Sequence, residues 1–370
     1  MNKKKYFIII IGIFIYVFIV LGQERVPIEE VVTINGIGYD IERKGENIIE
    51  YSIPINTNIY KPSGMQENLL FKEQGLNLGE VIQKRQEKMD KIFIQGQERV
   101  VLISEDYARY GLKTLIDDRF RNPQTNDTAY MAVCKGKSED YLKYKKKGYS
   151  NSSEYIGGLI EFYSNYSFFS NNYKVIDAYV RIGAEGRSLV LPYIEITDEG
   201  IEITGTAIFK KDKMVEFVDI QKSKILNILK NDNVKGILSL QKSPKEYIDF
   251  DAISGKRKVE CYKQGDKYSF NIDLAFTGTV TNNEMYVDMM KDINKRKEFE
   301  KDMGKNIEKQ CDDFIKIMKS DYKIDCLGLG REAAAKYGRQ KIIDWDEVVA
   351  SADIKVNVKV KADLQGRGDY

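Results

Sequence analysis

The spacing of apolar residues divides the chain into segments of different kinds. Residues 6–21 form one apolar run interrupted only by Gly12. After it, short strand-like segments alternate with segments of helical spacing, which predicts a mixed α/β unit. Strands are expected at 31–41 and 47–55, paired around a turn, and at 91–94 and 100–104. Helices are expected at 78–89, opened by the capping-box pair Asn77 and Glu80, at 105–110 before Gly111, and at 115–120.

The region from 144 to 174 is rich in Ser, Asn, Tyr and Gly and reads as a loop, with an apolar helix expected near 156–163. A second unit then follows. Residues 200–218 predict two strands around a turn at 210–213, followed by a helix at 219–229. Further strands are expected at 234–240, 257–262 and 268–280.

A long amphipathic helix is predicted between about Met285 and Ser320, because the apolar spacing there changes to three and four. Its apolar face consists of Met303, Ile307, Cys311, Phe314 or Ile315, and Met318. Residues 354–360 alternate between apolar residues and polar ones, mostly lysines, which is typical of a strand with one solvent-exposed face. The pattern therefore predicts a multi-domain α+β protein with mixed and antiparallel sheets and this helix packed on a sheet.

We divide the chain into a leader at 1–22, an N-terminal α/β domain at 23–196 and a C-terminal α+β domain at 197–370, with a further division near 280 left open. At 370 residues the chain is long enough for two or three domains.

The leader has the features of a membrane anchor. Lys3, Lys4 and Lys5 precede an apolar run from Tyr6 to Leu21. As a helix the run would be roughly 25 Å long, near the lower limit for crossing a bilayer. The lysines favour an amino terminus in the cytoplasm, with the rest of the chain exported.

Residues 20–23 read Val-Leu-Gly-Gln, which is a bacterial lipobox with Gln23 in the place of the cysteine. Glutamine has no thiol to acylate, so a lipid anchor is replaced by two alternatives. The leader is either a retained helical anchor, which we favour, or a cleaved signal peptide that releases a soluble protein. A buried core helix is disfavoured by the lysine cluster.

Charge and composition exclude several functions. Lys plus Arg (58) nearly balances Asp plus Glu (56), which gives no argument for binding nucleic acid. The local run of Lys143 and residues 145–147 is interleaved with tyrosines and is most typical of a solvated loop, with a phosphate-binding or lipid-headgroup surface left open.

The chain contains no histidine, which removes the commonest general base and metal ligand. The four cysteines, at 134, 261, 311 and 326, lack metal-site or redox spacing. We therefore expect no metal and no cofactor. A disulfide between Cys311 and Cys326 is left open.

Two other functions have some support in the sequence. A hydrolase would need paired carboxylates such as Asp117 with Asp118 or Asp312 with Asp313, but adjacent acids on a helix point in different directions and suit a solvated face. An adhesion protein is suggested by the Arg-Gly-Asp tripeptide at 367–369, although such a match is common by chance.

Several short segments carry a family resemblance through their order and spacing. After the leader and the acidic stretch 28–30 comes Gly-Ile-Gly-Tyr-Asp at 36–40. Further matching segments lie at 96–103 (GQERVVLI), 105–112 (EDYARYGL), 119–123 (RFRNP), 205–213 (GTAIFKKDK) and 325–330 (DCLGLG), with Trp345 before the last strand. This series resembles the Ger(x)C family, the C subunits of spore nutrient germinant receptors. Two positions differ from the family: Gln23 replaces the acylated cysteine, and Gly-Gln at 96–97 replaces Gly-His.

The resemblance implies a non-catalytic subunit on the outer face of the spore inner membrane, assembled with a polytopic B subunit and with an A subunit that bears a large soluble domain. It implies no ligand-binding residue for this chain. From the residues themselves, exposed tyrosines around Tyr141 to Tyr173 are a candidate partner interface, since aromatic residues are enriched in binding surfaces.

Overall fold

The computed structural model describes residues 3–21, 27–45, 48–61, 63, 65–289, 291–339 and 343–363. The helices are α1 (Lys3–Leu21), α2 (Leu78–Gln86), α3 (Glu105–Tyr110), α4 (Lys113–Arg121), α5 (Ser138–Lys143), α6 (Ser152–Tyr163), α7 (Val175–Gly183), α8 (Ile220–Lys230), α9 (Ile293–Ile317), α10 (Leu329–Tyr337) and α11 (Trp345–Ser351). A 3₁₀ turn at Ile28–Glu30 precedes the first strand, and a π-helical turn at Met318–Tyr322 extends α9.

The strands form two sheets. The first sheet contains β1 (Val31–Arg43), β2 (Ile49–Ser52), β3 (Ile55–Tyr60), β4 (Gln66–Phe71), β5 (Gln74–Gly75), β6 (Ile92–Ile94), β7 (Val100–Ser104), β8 (Tyr130–Cys134), β9 (Val190–Thr197), β10 (Gly200–Lys210) and β11 (Lys213–Asp219). The second contains β12 (Lys235–Ser243), β13 (Glu246–Ser254), β14 (Lys258–Gln264), β15 (Lys267–Asn283) and β16 (Asp353–Ala362).

The first sheet has a parallel centre. Strands β1, β7, β8 and β9 run parallel to one another, and β10 and β11 add antiparallel strands at one end. Alternate residues of β7 belong to different cores. Leu102 lies in the core that includes α5, α6 and α8, and Ile103 lies in the core that includes α2, α3 and α4. Helices therefore cover both faces, which is the usual setting of parallel strands.

The Gly-Ile-Gly-Tyr-Asp segment of β1 allows two helices to pack closely on the strand. A methyl group at Gly36 would overlap Ser153 Oγ at the start of α6, and one at Gly38 would overlap Ser138 Oγ at the start of α5. Two residues further on, Asp40 Oδ1 accepts a hydrogen bond of 2.7 Å from the Ser138 amide. The segment is thus explained by packing and helix capping, since only glycine permits such an approach.

The second sheet is covered on one face. It has the order β12-β13-β15-β14, all antiparallel, and β16 pairs in parallel with β15. Phe250, Phe270 and Ile272 are fully buried in the same core as Phe299 and Met303 of α9. The predicted apolar face of this helix is confirmed, because Met303, Ile307, Cys311, Phe314, Ile315 and Met318 are all buried.

The α+β class with mixed and antiparallel sheets is confirmed, and so is the long C-terminal helix packed on a sheet. The sequence analysis missed strand β13, whose buried residues stand among acidic ones, and helix α5, which has only six residues. The proposed boundary between 196 and 197 falls within the antiparallel pair of β9 and β10. The division into domains stays a prediction.

The disulfide left open between Cys311 and Cys326 is absent, because all four cysteines are free and buried. Burial raises the pKa of the Cys326 thiol to about 12. These thiols act as small apolar core groups.

Candidate functional site

The predicted anchor forms helix α1, whose apolar side chains are exposed. Lys4 and Lys5 are exposed at its start, and Tyr6, Phe14 and Phe18 are among the exposed large apolar residues along it. The side chains of Lys3 and Leu21, and the whole of Gln23, lie outside the described residues. Within the described ranges, no helix combines the length and apolarity needed to cross a membrane. The anchor residues stay a prediction.

A groove of about 890 Å³ opens beside Ile28, which follows the end of α1 by seven residues. Strands β1, β3 and β6 form its floor, and the connection between α5 and α6 contributes one wall. Its lining residues are Ile28, Val31, Thr33, Asn35, Asn58, Tyr60, Ile94, Gln97, Arg99, Tyr149 and Glu154. The groove therefore combines apolar contacts with polar side chains, which is typical of a protein-binding surface.

The floor of the groove carries polar atoms that are buried without a partner. Within the part of the chain that the structure describes, neither Thr33 Oγ1 nor Asn35 Oδ1 has a hydrogen-bond partner. A buried acceptor left without a partner costs free energy.

The rim of the groove is held by Arg99. Its guanidinium pairs with Glu161 of α6 and lies 5.7 Å from the ring centroid of Tyr130. A methyl group at Gly157 would overlap the Arg99 side chain, so α6 packs closely against it. Gln97 also lines the groove.

The expected tyrosine interface is wrong at both of its ends. Tyr141 is buried and donates to a backbone carbonyl, and Tyr173 is buried and donates to Asn227 Oδ1 at 2.9 Å. These rings serve the core because their hydroxyl groups find partners inside it. Tyr149 and Tyr166 remain as surface rings, with 50% and 70% of their area exposed.

The basic run is solvated, as expected. Lys143 pairs with Glu139, and Lys146 Nζ lies 5.4 Å from the ring centroid of Tyr155. Lys145 and Lys147 are exposed. The run therefore forms a loop surface. The ring of Tyr155 stacks on that of Tyr144 and packs at a tilt against that of Tyr149.

Each of the two acid pairs, 117–118 and 312–313, lies on a single helix. Burial raises the pKa of Asp118 on α4 and that of Asp312 on α9. The carboxylates that raise the pKa of Asp312 further, Glu308 and Asp313, lie on the same helix. Across the described residues, no group of three or more His, Cys, Asp or Glu side chains could hold a metal ion. The Arg-Gly-Asp tripeptide at 367–369 lies outside those residues.

Two of the family-like segments meet in a buried ion pair that sequence reasoning missed. Glu98 Oε1 lies 3.4 Å from Arg119 Nη2, and both side chains are almost completely buried. The other carboxylate oxygen of Glu98 accepts from the amide groups of Gly96 and Asn126. Both residues belong to segments that the sequence analysis had singled out, Gly-Gln-Glu-Arg and Arg-Phe-Arg-Asn-Pro. Because these segments are about 20 residues apart along the chain, the sequence alone did not indicate that the two side chains meet.

Comparisons with known proteins agree with this architecture. The model described as "Spore germination protein N-terminal domain" matches residues 24–196, and the model described as "Spore germination B3/ GerAC like, C-terminal" matches residues 204–366. Spore germination protein GerQC of Bacillus cereus is 24% identical over 368 residues, covering 96% of this chain and 98% of the relative. Putative spore germination protein YfkR of Bacillus subtilis (strain 168) is 23% identical over 227 residues, covering 57% of this chain and 56% of the relative.

A solved structure supports the same fold. The crystal structure of the GerBC protein has a TM-score of 0.58 and 14% identity, covering 88% of this chain and 97% of the other. The two family models together match almost all residues after the leader. Some of the segments that carry the resemblance lie in the first matched region and the others in the second. The chain therefore belongs to the Ger(x)C family of spore germination proteins, the C subunits of germinant receptors.

Proposed function

We propose that the protein is a non-catalytic receptor subunit that assembles with the A and B subunits at the outer face of the spore inner membrane. In this proposal α1 holds the chain at the membrane, and the groove beside β1 receives part of a partner subunit. Membership of the Ger(x)C family supports the receptor role. The exposed apolar helix supports the attachment.

The observation that carries the proposal is the short chain distance between α1 and the groove. Leu21 ends α1, and Ile28, which lines the groove, follows seven residues later. Seven extended residues span at most about 25 Å. A partner that is itself embedded in the membrane could therefore reach the groove while α1 is inserted beside it.

The attachment is tested by mass spectrometry and extraction of the protein from spore membranes. We expect an intact mass that retains residues 1–22 and a protein that detergent extracts but alkaline carbonate does not. A mass beginning at Gln23 together with recovery in the soluble fraction would contradict the anchor, and the docking proposal would then stand on the groove alone.

The docking is tested by site-specific photo-crosslinking in sporulating cells that express the A and B subunits. A photoreactive phenylalanine analogue at Tyr149 should crosslink to a partner subunit. The matched control is Tyr262, which is 47% exposed on the second sheet, far along the chain from the groove. Equal crosslinking from both positions, or crosslinking from the control alone, would show that partners do not use the groove.

A further inference from the structure

A second cavity, of about 360 Å³, lies where the two halves of the chain meet, and five cationic side chains line it. They come from separate elements of both halves. The five are Arg181 of α7, Arg187 between α7 and β9, Lys230 at the end of α8, Arg257 between β13 and β14, and Arg331 of α10.

The hydrogen bonds of these cations go to neutral carbonyl oxygens. Lys230 Nζ donates to the carbonyl oxygen of Cys326 at 2.6 Å, and Arg181 Nη1 donates to that of Asn172 at 2.7 Å. Arg257 Nη1 donates to two carbonyl oxygens, those of Leu229 and Leu327. Among the described residues, the guanidinium of Arg187 has neither a hydrogen bond nor an ion pair. These bonds orient the cations but supply no negative charge to them.

Three carboxylates also line the cavity, and they compensate the cations only in part. Asp177 accepts from the Lys174 amide, and Asp232 accepts from the Arg257 amide. Glu332 lies 4.0 Å from Arg331, at the limit of an ion pair. The nearby Asp325 is occupied by the first amide groups of α10. The cavity lining thus has a surplus of two positive charges.

The cations repel one another. Burial, and then the charge of Arg181, lowers the pKa of Lys230 to about 8. Burial also lowers the pKa of Arg187, with Arg331 and Arg181 adding to the effect. A negative charge placed among these groups would relieve the repulsion.

We propose that this cavity binds a small soluble oxyanion with at least two negative charges, of the phosphate or carboxylate class, and that the bound anion links the two halves of the chain. Guanidinium groups suit this role because their planar fork of donors matches the oxygens of phosphate and carboxylate. The proposal is independent of the receptor function, because it rests only on the side chains that line the cavity.

The test is thermal unfolding of the full chain in detergent, with sodium phosphate or sodium succinate compared with sodium chloride at equal ionic strength. Both oxyanions should raise the melting temperature in a saturable way, because a ligand that binds only the folded state stabilises it. Arg187→Gln should weaken the apparent affinity for phosphate about tenfold, the effect of losing one charge-assisted contact. Without phosphate the same variant should melt at a higher temperature than the native chain, because it removes a repulsive charge.

The control is Lys224→Gln, which removes one positive charge from the same helix as Lys230 but from a residue outside the cavity lining. It should leave the response to phosphate unchanged. The proposal is overturned if neither oxyanion exceeds the effect of chloride, or if both variants weaken the response equally.

A further arm separates a soluble anion from the phosphate of a lipid headgroup. Sedimentation with phosphatidylglycerol vesicles should be the same for the native chain and for Arg187→Gln. Weaker sedimentation of this variant, with no effect of free phosphate on melting, would assign the cavity to a membrane lipid and overturn the proposal of a soluble ligand.

Discussion

The two sheets bury their residues in different ways. In the first sheet all five residues of β7 and all five of β8 are buried, whereas β15 of the second sheet alternates between buried and exposed positions over most of its length. The first sheet has helices on both faces, and the second has its core on one face only. Substitutions on either face of the first sheet should therefore destabilise the protein. In the second sheet, substitutions on the exposed face should be tolerated.

The difference also affects polar groups. A sheet covered on both sides has no exposed face for a charged residue, so Glu98 and Arg119 beside it are paired inside the protein. In the second sheet, charged residues such as Glu260 and Lys355 point to solvent. Buried charges require partners, and exposed charges do not.

The largest expected effect comes from breaking the buried pair. Glu98→Gln keeps the shape of the side chain but leaves the charge of Arg119 uncompensated, which should lower the free energy of unfolding by about 3–5 kcal/mol. The measurement is urea unfolding followed by circular dichroism. The control is Lys135→Gln, which breaks an exposed pair with Glu195 and should cost less than about 1 kcal/mol. If both variants lowered the free energy of unfolding by similar amounts, the buried pair would contribute no more to stability than the exposed one.

The next prediction compares the faces of the sheets directly. Leu102→Ala and Ile103→Ala change opposite faces of β7, and each should cost about 2–5 kcal/mol because both residues are fully buried. In the second sheet Ile272→Ala should cost about as much, but Thr277→Ala, on the exposed face of β15, should change stability by less than about 0.5 kcal/mol. Unfolding in urea measures all four. A small loss for either β7 variant would contradict a sheet covered on both faces.

The elements with a regular apolar period could be predicted from the sequence. The face of α9 and the alternation in β16 and β15 were read correctly because each of them packs on one side only. Strand β13 was missed because its buried residues, such as Phe250, stand among acidic ones. The buried ends of the tyrosine-rich segment were missed because a phenol can serve either a core or a surface, and only the partners of its hydroxyl group decide between them.

The groove and the cationic cavity lay beyond sequence reasoning for a different reason. The five cations of the cavity come from segments between Arg181 and Arg331, and nothing in their local sequence signals that they converge. The Gly-Ile-Gly-Tyr-Asp segment was found as a family signature, but its physical role in admitting two helices needed the contacts of Ser138 and Ser153. Long-range convergence is set by topology and not by periodicity.

A third prediction concerns the close packing of helices on the first sheet. Gly36→Ala would force the new methyl group against Ser153 and should cost about 1–3 kcal/mol. The control is Gly158→Ala on α6, where the surroundings are open and alanine should stabilise the helix by about 0.5–1 kcal/mol. Adding Ser153→Gly to Gly36→Ala should recover part of the loss. Equal effects at the two glycines would contradict the packing role of the β1 segment.

The smallest expected effect is a pH dependence at the junction of the two halves. The groups that face the amino group of Lys230 are Arg181, Arg257, Asp325 and Cys326, and burial is the largest cause that lowers its pKa to about 8. The ordinary lysine pKa is about 10.5. Between these values the unfolded chain holds a proton that the folded chain has released, so the free energy of unfolding should rise with pH in this window.

Lys230→Met removes the titrating group and should flatten this part of the curve, while tyrosines and cysteines that titrate in the same range contribute equally to both proteins. Because Lys230 as a whole keeps part of its surface exposed, we expect the difference between the two curves to reach only about 1 kcal/mol between pH 8 and pH 10.5. The measurement is urea unfolding at a series of pH values in sodium chloride without phosphate. If the two curves run parallel across the window, Lys230 keeps its ordinary pKa. The cations at the junction would then be in contact with solvent, unlike the buried pair of Glu98 and Arg119 beside the first sheet.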